Sequence, residues 1–467
     1  MKVSFSKIKI TPNDYIGMPM AGYSRPDPCL GKLDDIFVHG VLIEQEKSDE
    51  KNKVLLLLSF DLLKIPISIA TYFKEKIEKN FKGIKEKNIL IHATHTHSAP
   101  DLTGEFHWPG GTLAVVKGIM FGINQNDKYI IWIGDQILKL VDHLLNSLQT
   151  SKISWVKKVF NPDIVINRRH PLRKPKPELG VISFKDIHRN LIGLIINYAC
   201  HPTTLSLFNN KLSADFPGRI VSKISEITNG KTKCIYFNGP AGDLNPITTC
   251  GTDYEALKDN KTPIYTQLGT YTHTKKLGFQ IAEEALKLAE SIPSNNYYEN
   301  ITFQSYIKSI LVPLKDPRYF SSTWFQNKLF YMIKKYLLLS VILSLYEKIN
   351  FPIFKIKKKE KRIFAKTVMQ YIDFTVENTN KKRKFTIFTV PGELFEEIGR
   401  DLVKKSPVGA SNSFLFQNSN DWIAYLFPIK EYIQIGGYEP VASFGPLCGF
   451  YIEREMLDFF KNIKNLL

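Results

Sequence analysis

The chain alternates short apolar runs with longer amphipathic segments, and this alternation constrains its fold more than any other feature. The short runs have the length of buried strands and lie at residues 54–58, 88–91, 191–198, 234–237 and 385–390. Segments with helical periodicity lie between several of them, at residues 67–80, 129–148 and 278–291. Strands that alternate with helices predict an α/β fold. We therefore expect a central twisted mixed sheet flanked by helices.

The balance of residue types excludes a disordered chain and a disulfide scaffold. Hydrophobic residues make up 43% and charged residues 23% of the 467 residues, which is ordinary for a globular protein. The five cysteines form no CxxC pair and are odd in number, so we expect reduced thiols. The N-terminal sequence has no apolar signal-peptide region, and a cytoplasmic location is the expectation.

The formal net charge of +18 favours a polyanionic partner, either nucleic acid or an anionic membrane surface. The sequence has no zinc-finger, RRM-like or helix-turn-helix signature, and much of the excess charge is lysine in a chain rich in isoleucine, asparagine and lysine. We therefore expect no nucleic-acid partner.

Residues 317–362 form the main irregularity of composition, with many large apolar residues among lysines and a final basic run, KIKKKEKR. The longest uncharged stretch, residues 336–346, is shorter than the roughly 20 residues that a membrane span needs. Two interpretations remain. The segment is a helical insertion packed on the core with a basic loop behind it, or residues 324–362 are an amphipathic helix in peripheral contact with an anionic membrane.

Two histidines follow the second strand-like run, in the sequence NILIHATHTHSAPD. At the side-chain period of a strand, His95 and His97 point to the same side and can face one metal or substrate. Ser98 and Asp101 lie directly after them. Because imidazole is the commonest zinc ligand, the pattern predicts a metal-binding or proton-transfer role.

A second strand repeats this arrangement and delivers His201 just past its end, in LIGLIINYACHPTTL. Open α/β sheets place their sites beyond the carboxyl ends of strands, so we expect His95 and His201 to converge there. A third strand enters the loop FNGPAGDLNP, which carries Asp243 and Asn245. Its glycines allow a close approach to a ligand, although a tight structural turn explains them equally well.

Glu393 follows a fourth strand, in KFTIFTVPGELFEEIGRDL, where a helix is predicted to begin at about this residue. A carboxylate there suits a metal site, although glutamate in a first helical turn is also a common capping residue. With two histidines at the same crevice, a set of two histidines and a carboxylate that leaves one zinc position open is the better account. Further along, three phenols could ligate a metal or donate to an oxyanion, and spacing selects none of them: Tyr425, Tyr432 and Tyr438.

Taken together and in this order, the motifs THTHSAPD, CHPTTL, GPAGDLNP, VPGELF and AYLFPIKEYIQIGGYE resemble the neutral/alkaline non-lysosomal ceramidase family. AGYSRPDP and LSADFPGR are similar too, so the resemblance spans most of the chain. It implies a single catalytic domain over residues 1–467 with the insertion at 317–362 inside it. We expect no counterpart of the β-sandwich domain that follows the catalytic domain in the family.

The resemblance also implies residue roles. Zinc would be held by four residues: His95, His201, Glu393 and Tyr425. His97 would lie beside the metal on the oxyanion side, and Arg168 in VINRRHP matches the NR motif of the family. One departure concerns the substrate, because Asn245 stands where the ceramidases have a serine.

The implied activity is that of a zinc-dependent amidohydrolase that cleaves the amide bond of a ceramide or another N-acyl lipid with a zinc-activated water. We expect His97, Tyr425 or Arg168 to stabilise the oxyanion, and Asp243 and Asn245 to position the substrate. Two alternatives remain. One is a zinc esterase or amidase for a non-sphingoid substrate, and the other is a non-catalytic protein that binds a membrane surface.

Overall fold

The computed structural model describes most of the chain: residues 1–23, 25, 27–45, 53–104, 106, 126–250, 266–267, 269–313, 356–359, 362–379, 381–435 and 438–464. Most of the predicted insertion at 317–362 lies outside the described residues, and there its two interpretations stay open. At its basic end, residues 356–359 and 362 lie in paired antiparallel strands, so the expected helix or loop is wrong for these residues.

The strands are short and numerous. They are β1 (Lys2–Lys9), β2 (Gly31–Lys32), β3 (Phe37–Gln45), β4 (Lys53–Phe60), β5 (Ile89–Ala93), β6 (Gln149–Thr150), β7 (Lys152–Val159), β8 (Val165–Asn167), β9 (Glu178–Lys185), β10 (Leu191–Tyr198), β11 (Lys211–Leu212), β12 (Lys233–Asn238), β13 (Leu244–Pro246), β14 (Thr249–Cys250), β15 (Thr266–Gln267), β16 (Asn300–Pro313), β17 (Ile356–Lys359), β18 (Arg362–Asn378), β19 (Lys381–Thr389), β20 (Glu393–Leu394), β21 (Ser413–Phe416) and β22 (Tyr425–Leu426).

The helices of the described residues lie between these strands. They are α1 (Ile67–Asn80), α2 (Asp127–Asn146), α3 (Asp215–Ile227), α4 (Tyr271–Ser291), α5 (Glu396–Lys405), α6 (Tyr438–Ala442) and α7 (Cys448–Lys464), with a π-helical turn at Glu431–Ile435. The predicted helix 67–80 is confirmed at both ends. The helix predicted at 278–291 begins seven residues earlier, at Tyr271, where Thr270 and His273 form a capping box.

The α/β class is confirmed, but the strands are divided among several sheets instead of one central sheet. The three larger sheets have the strand orders β5-β4-β3-β1-β6, β12-β10-β9-β7 and β16-β18-β19-β21, and β17 also pairs with β18. Each is mixed, because one parallel pair (β4/β5, β10/β12 or β19/β21) joins otherwise antiparallel strands. A run of apolar residues predicts a buried strand without identifying the sheet to which it belongs.

A shared core explains why the strands are apolar on both faces. One side of all three sheets meets in a common cluster that includes Leu55, Leu57, Ile195, Phe237 and Phe374. The outer side of each sheet is covered by its own helices. These are α1 and α2 on the first sheet, α3 and α4 on the second, and α5 and α7 on the third. Alternate residues of one strand therefore reach two different cores.

The described residues also bear on the expectations about membrane spans and cysteines. In the part of the chain that the structure describes, no helix is long and apolar enough to cross a membrane. The cysteines with described side chains are free and buried: Cys29, Cys200, Cys234 and Cys448.

Candidate metal centre

The loop that follows β5 brings His95 and His97 together, but not by the alternation of a strand. β5 ends at Ala93, and His95 has a left-handed backbone with φ +68°. The predicted strand geometry at these residues was therefore wrong, and the turn at His95 brings the two rings to a centroid distance of 5.0 Å. The Nδ1–H of His95 donates to the carbonyl of Leu63 at 2.7 Å, which leaves Nε2 directed into the centre.

His201 enters the same space from the loop after β10. Its Nδ1–H donates to the carbonyl of Ala241 at 3.2 Å, and its Nε2 lies 3.2 Å from the Nε2 of His97. One ligand atom from each of His95, His97 and His201 can be chosen so that all three atoms lie within 4.8 Å of one another. The predicted convergence of His95 and His201 at the ends of their strands is thus present in the fold.

Glu393 completes this group from a separate two-stranded sheet that follows β19 in the chain. It lies in the short strand β20, paired in parallel with Tyr425 of β22, and α5 begins only at Glu396. The expectation that Glu393 opens the helix was wrong, because the chain after Pro391-Gly392 forms two more extended residues first. Its Oε2 lies 3.3 Å from the Nε2 of His95 and 3.7 Å from that of His201.

The protonation states of these groups suit a metal site. Burial raises the pKa of the Glu393 carboxyl, but its interactions with His95, His201 and Arg168 outweigh the effect of burial and lower the pKa to about 2. Burial and the neighbouring His95 hold the pKa of both His97 and His201 well below the usual range. The centre therefore combines an ionised carboxylate with the neutral rings of His97 and His201, and carboxylate and neutral imidazole are the ligand forms that metals require.

Two buried atoms fit a bound cation. Among the described residues, the Nε2 of His95 and the Oε2 of Glu393 have no hydrogen-bond partner, although they lie 3.3 Å apart. Burying unsatisfied polar atoms is costly, and a cation between them would satisfy both. Zinc prefers imidazole nitrogen and carboxylate oxygen, and the backbone carbonyls that hold the other ring nitrogens of His95 and His201 fix the tautomers needed for binding.

Arg168 is buried beside this group. Its Nε donates to Glu439 Oε1 at 2.9 Å, one Nη donates to Asn245 Oδ1 at 2.7 Å, and the other donates to the carbonyl of Gly242. The guanidinium carbon lies 5.5 Å from the ring centroid of Tyr425. The Arg168 side chain is only 2% exposed.

Two of the three candidate phenols, Tyr425 and Tyr438, lie beside Arg168. Tyr425 and Tyr438 have ring centroids 5.9 Å apart, and Arg168 lies 5.4 Å from the Tyr438 ring. Tyr432 packs against the apolar cluster of Phe395, Tyr425 and Phe427. The assignment of Tyr425 as a zinc ligand stays a prediction.

Asp243 and Asn245 make contacts within the protein. The Asp243 carboxyl accepts the backbone N–H of Glu396 and the side-chain amide of Asn167, both at 2.7 Å. Burial raises its pKa to about 6. These contacts fix the start of α5, while Asn245 accepts from Arg168. Their role in substrate positioning stays a prediction.

Sequence reasoning missed three residues that border the centre. The Tyr23 ring lies 4.7 Å from the ring of His97, and the indole N–H of Trp422 donates to Glu393 Oε1 at 3.1 Å. Glu439 is the third, through its contact with Arg168. Tyr23 and Glu439 lie inside the similar segments AGYSRPDP and IQIGGYE, and that position was the only signal available for them.

Two solved structures that are similar to the whole chain are described as ceramidases. The crystal structure of neutral ceramidase from Pseudomonas aeruginosa matches with a TM-score of 0.70 at 17% sequence identity, over 100% of this chain and 75% of that one. A structure described as a ceramidase complexed with C2 matches with a TM-score of 0.72, at the same identity and coverage. No protein-family profile and no curated protein matches the sequence. The predicted resemblance is confirmed as a likeness of fold.

Proposed function

We propose that this chain is a zinc-dependent amidohydrolase that cleaves the amide bond of a ceramide or another N-acyl lipid. The observation that carries the proposal is the buried meeting of His95, His97, His201 and Glu393, in a fold that resembles neutral ceramidase. Neutral imidazoles and an ionised carboxylate are the donor set of catalytic zinc sites.

In this proposal zinc is held by His95, His201, Glu393 and Tyr425, and His97 faces the reacting carbonyl. When bound, zinc supplies the Lewis acidity that polarises a carbonyl and makes water a nucleophile near neutral pH. Burial keeps the His97 ring neutral, so one of its ring nitrogens carries an N–H that can donate to the oxyanion.

Arg168 supplies positive charge to the oxyanion that develops on the amide carbonyl. Its contacts with Glu439, Asn245 and Gly242 hold the guanidinium in one orientation, so no reorganisation is needed when charge develops. The buried surroundings strengthen this electrostatic effect relative to water. Asn245 bears no hydroxyl, so the proposed attack is by water and involves no acyl-enzyme.

The test is the metal content of the purified protein, measured by elemental analysis on the native chain, His95→Ala and Glu393→Ala. His143→Ala is the matched control, since His143 is exposed on α2. We expect about one zinc per chain in the native protein and the control, and loss of both zinc and amide hydrolysis in the two site variants. Turnover retained by the site variants, or a folded native protein without stoichiometric metal, would contradict the proposal.

Three further experiments test the role of His97, the type of bond that is cleaved and the non-catalytic alternative. His97→Ala should keep zinc and lose turnover, whereas loss of zinc in that variant would make His97 a ligand. Amide and ester substrates with matched acyl chains separate an amidase from a zinc esterase. Liposome binding by a folded protein that holds no zinc would favour the non-catalytic alternative.

A further inference from the structure

A series of buried ion pairs with alternating charges begins at Arg168. Glu439 accepts from Arg168 Nε through Oε1 at 2.9 Å and from Arg169 Nη1 through Oε2 at 2.6 Å. Arg169 Nε donates in turn to Glu431 Oε2 at 2.8 Å, and Glu431 Oε1 lies 2.9 Å from His170 Nε2. One carboxylate thus bridges two guanidinium groups, and one guanidinium group bridges two carboxylates.

These ion pairs connect two distant parts of the sequence beside the metal centre. The arginines lie in the loop after β8, and the carboxylates lie in the segment 431–439, more than 260 residues further along the chain. Tyr438 directly precedes Glu439 at the start of α6, so a shift of the Glu439 carboxylate also moves the phenol that faces Arg168.

We propose that Arg169 is a positioning residue for the proposed hydrolase. Through Glu439 it places the Arg168 guanidinium and the Tyr438 phenol beside the His95, His201 and Glu393 group. It also shares the charge of Glu439, so that this carboxylate does not neutralise Arg168 alone. The inference rests on the proposed function of the centre.

The geometry requires a guanidinium at residue 169. Arg169 uses three different nitrogens, since Nη2 also donates to the backbone carbonyl of Glu431 at 3.3 Å. Its side chain is fully buried, as is that of Glu439. A lysine ammonium keeps the charge but is a single point that cannot span both carboxylates in this fork geometry. Arg169→Lys therefore perturbs position while it preserves charge.

The experiment compares the native enzyme, Arg169→Lys, Arg168→Lys and the double variant, with zinc content measured on each. We expect Arg169→Lys to keep its zinc and lower kcat by about 10- to 100-fold with KM within about twofold, because displacements near 1 Å cost rates of this order. In the Arg168→Lys background the same change should lower kcat by no more than about threefold, since Arg169 acts through Arg168. Arg219→Lys, which alters the ion pair with Asp34, is the control and should leave kcat unchanged.

A second measurement does not depend on turnover. Ser443 N–H donates to the carbonyl of Glu439 at 2.9 Å, and hydrogen exchange at this amide should be faster in Arg169→Lys than in the native protein or the control. Additive effects on kcat, an unchanged kcat or unchanged exchange would each overturn the inference. If Arg169→Lys fails to fold, Glu439→Gln replaces it with the same expected results and the same refuting ones. A zinc-loaded native protein that cleaves no N-acyl amide would instead contradict the proposed function, and unchanged exchange at Ser443 would still overturn the claim that Arg169 holds Glu439 in place.

Discussion

Replacing Trp422 by phenylalanine isolates one hydrogen bond of the candidate metal centre. The indole N–H donates to Glu393 Oε1 at 3.1 Å, which fixes the orientation of a proposed ligand whose other oxygen faces His95 and His201. Phenylalanine removes the donor but keeps an aromatic ring under the ammonium of Lys64, which lies 4.2 Å from the Trp422 ring centroid. We expect weaker zinc binding with little change in fold.

The size of the effect follows from the kind of bond that is lost. A hydrogen bond to a charged, buried group contributes about 1.5–3 kcal/mol. At about 1.4 kcal/mol for each factor of ten, this corresponds to a roughly 10- to 100-fold higher zinc dissociation constant. Contacts that orient metal ligands have effects of the same order.

The assay is competition for zinc between the protein and a chelator of known affinity, with unfolding by urea followed in parallel. Trp155→Phe is the matched control, because its indole N–H also donates a bond, to Asn412 Oδ1 at 3.0 Å, away from the centre. A zinc affinity in Trp422→Phe equal to that of the native protein would show that Trp422 does not orient Glu393. If Trp155→Phe loses as much zinc affinity as Trp422→Phe, the loss comes from altered packing and not from the hydrogen bond to Glu393.

Two further predictions use the backbone and the buried acids. A Cβ on Gly22 would lie 2.5 Å from the His97 ring, whereas Gly17 has a similar positive φ but open space around its Cα. Gly22→Ala should therefore lower turnover at least tenfold, and Gly17→Ala should only destabilise the fold by about 1–2 kcal/mol. Equal turnover in the two variants would contradict this prediction. Burial raises the pKa of Asp421 to about 7, so the folded state binds more protons than the unfolded state between about pH 4 and 7, and stability falls as pH rises through that range. In urea unfolding, Asp421→Asn should remove up to about 4 kcal/mol of the change in unfolding free energy across this pH range. Profiles of unfolding free energy against pH that run parallel in the native protein and the variant would refute the raised pKa of Asp421.

The sequence was informative wherever a local pattern determines the outcome. Helix α1 and strand β10 were predicted at their observed bounds, because a continuous run of the right period defines each. The convergence of His95, His201 and Glu393 followed from the rule that functional sites of α/β sheets lie beyond the carboxyl ends of the strands. The local geometry did not follow, since the left-handed His95 and the extended Glu393 depend on tertiary contacts.

Long-range partners had no local signature. The bond between Arg168 and Glu439 joins residues 271 positions apart, and the bond from Trp422 to Glu393 depends on the docking of two loops. The division into three sheets was equally hidden, because alternate residues of β4 are apolar on both faces and fit either one sheet or several. Each of these features arises only when distant segments pack together.

Three of the four proposed zinc ligands follow strands of the three larger sheets. His95 follows a strand of the first sheet, His201 one of the second and Glu393 one of the third. No folding intermediate that lacks one sheet can therefore contain the centre, and a chain with so many non-local pairings is expected to fold slowly. Acquisition of tight metal binding during refolding would then report the final assembly step, when the three sheets close on their common core.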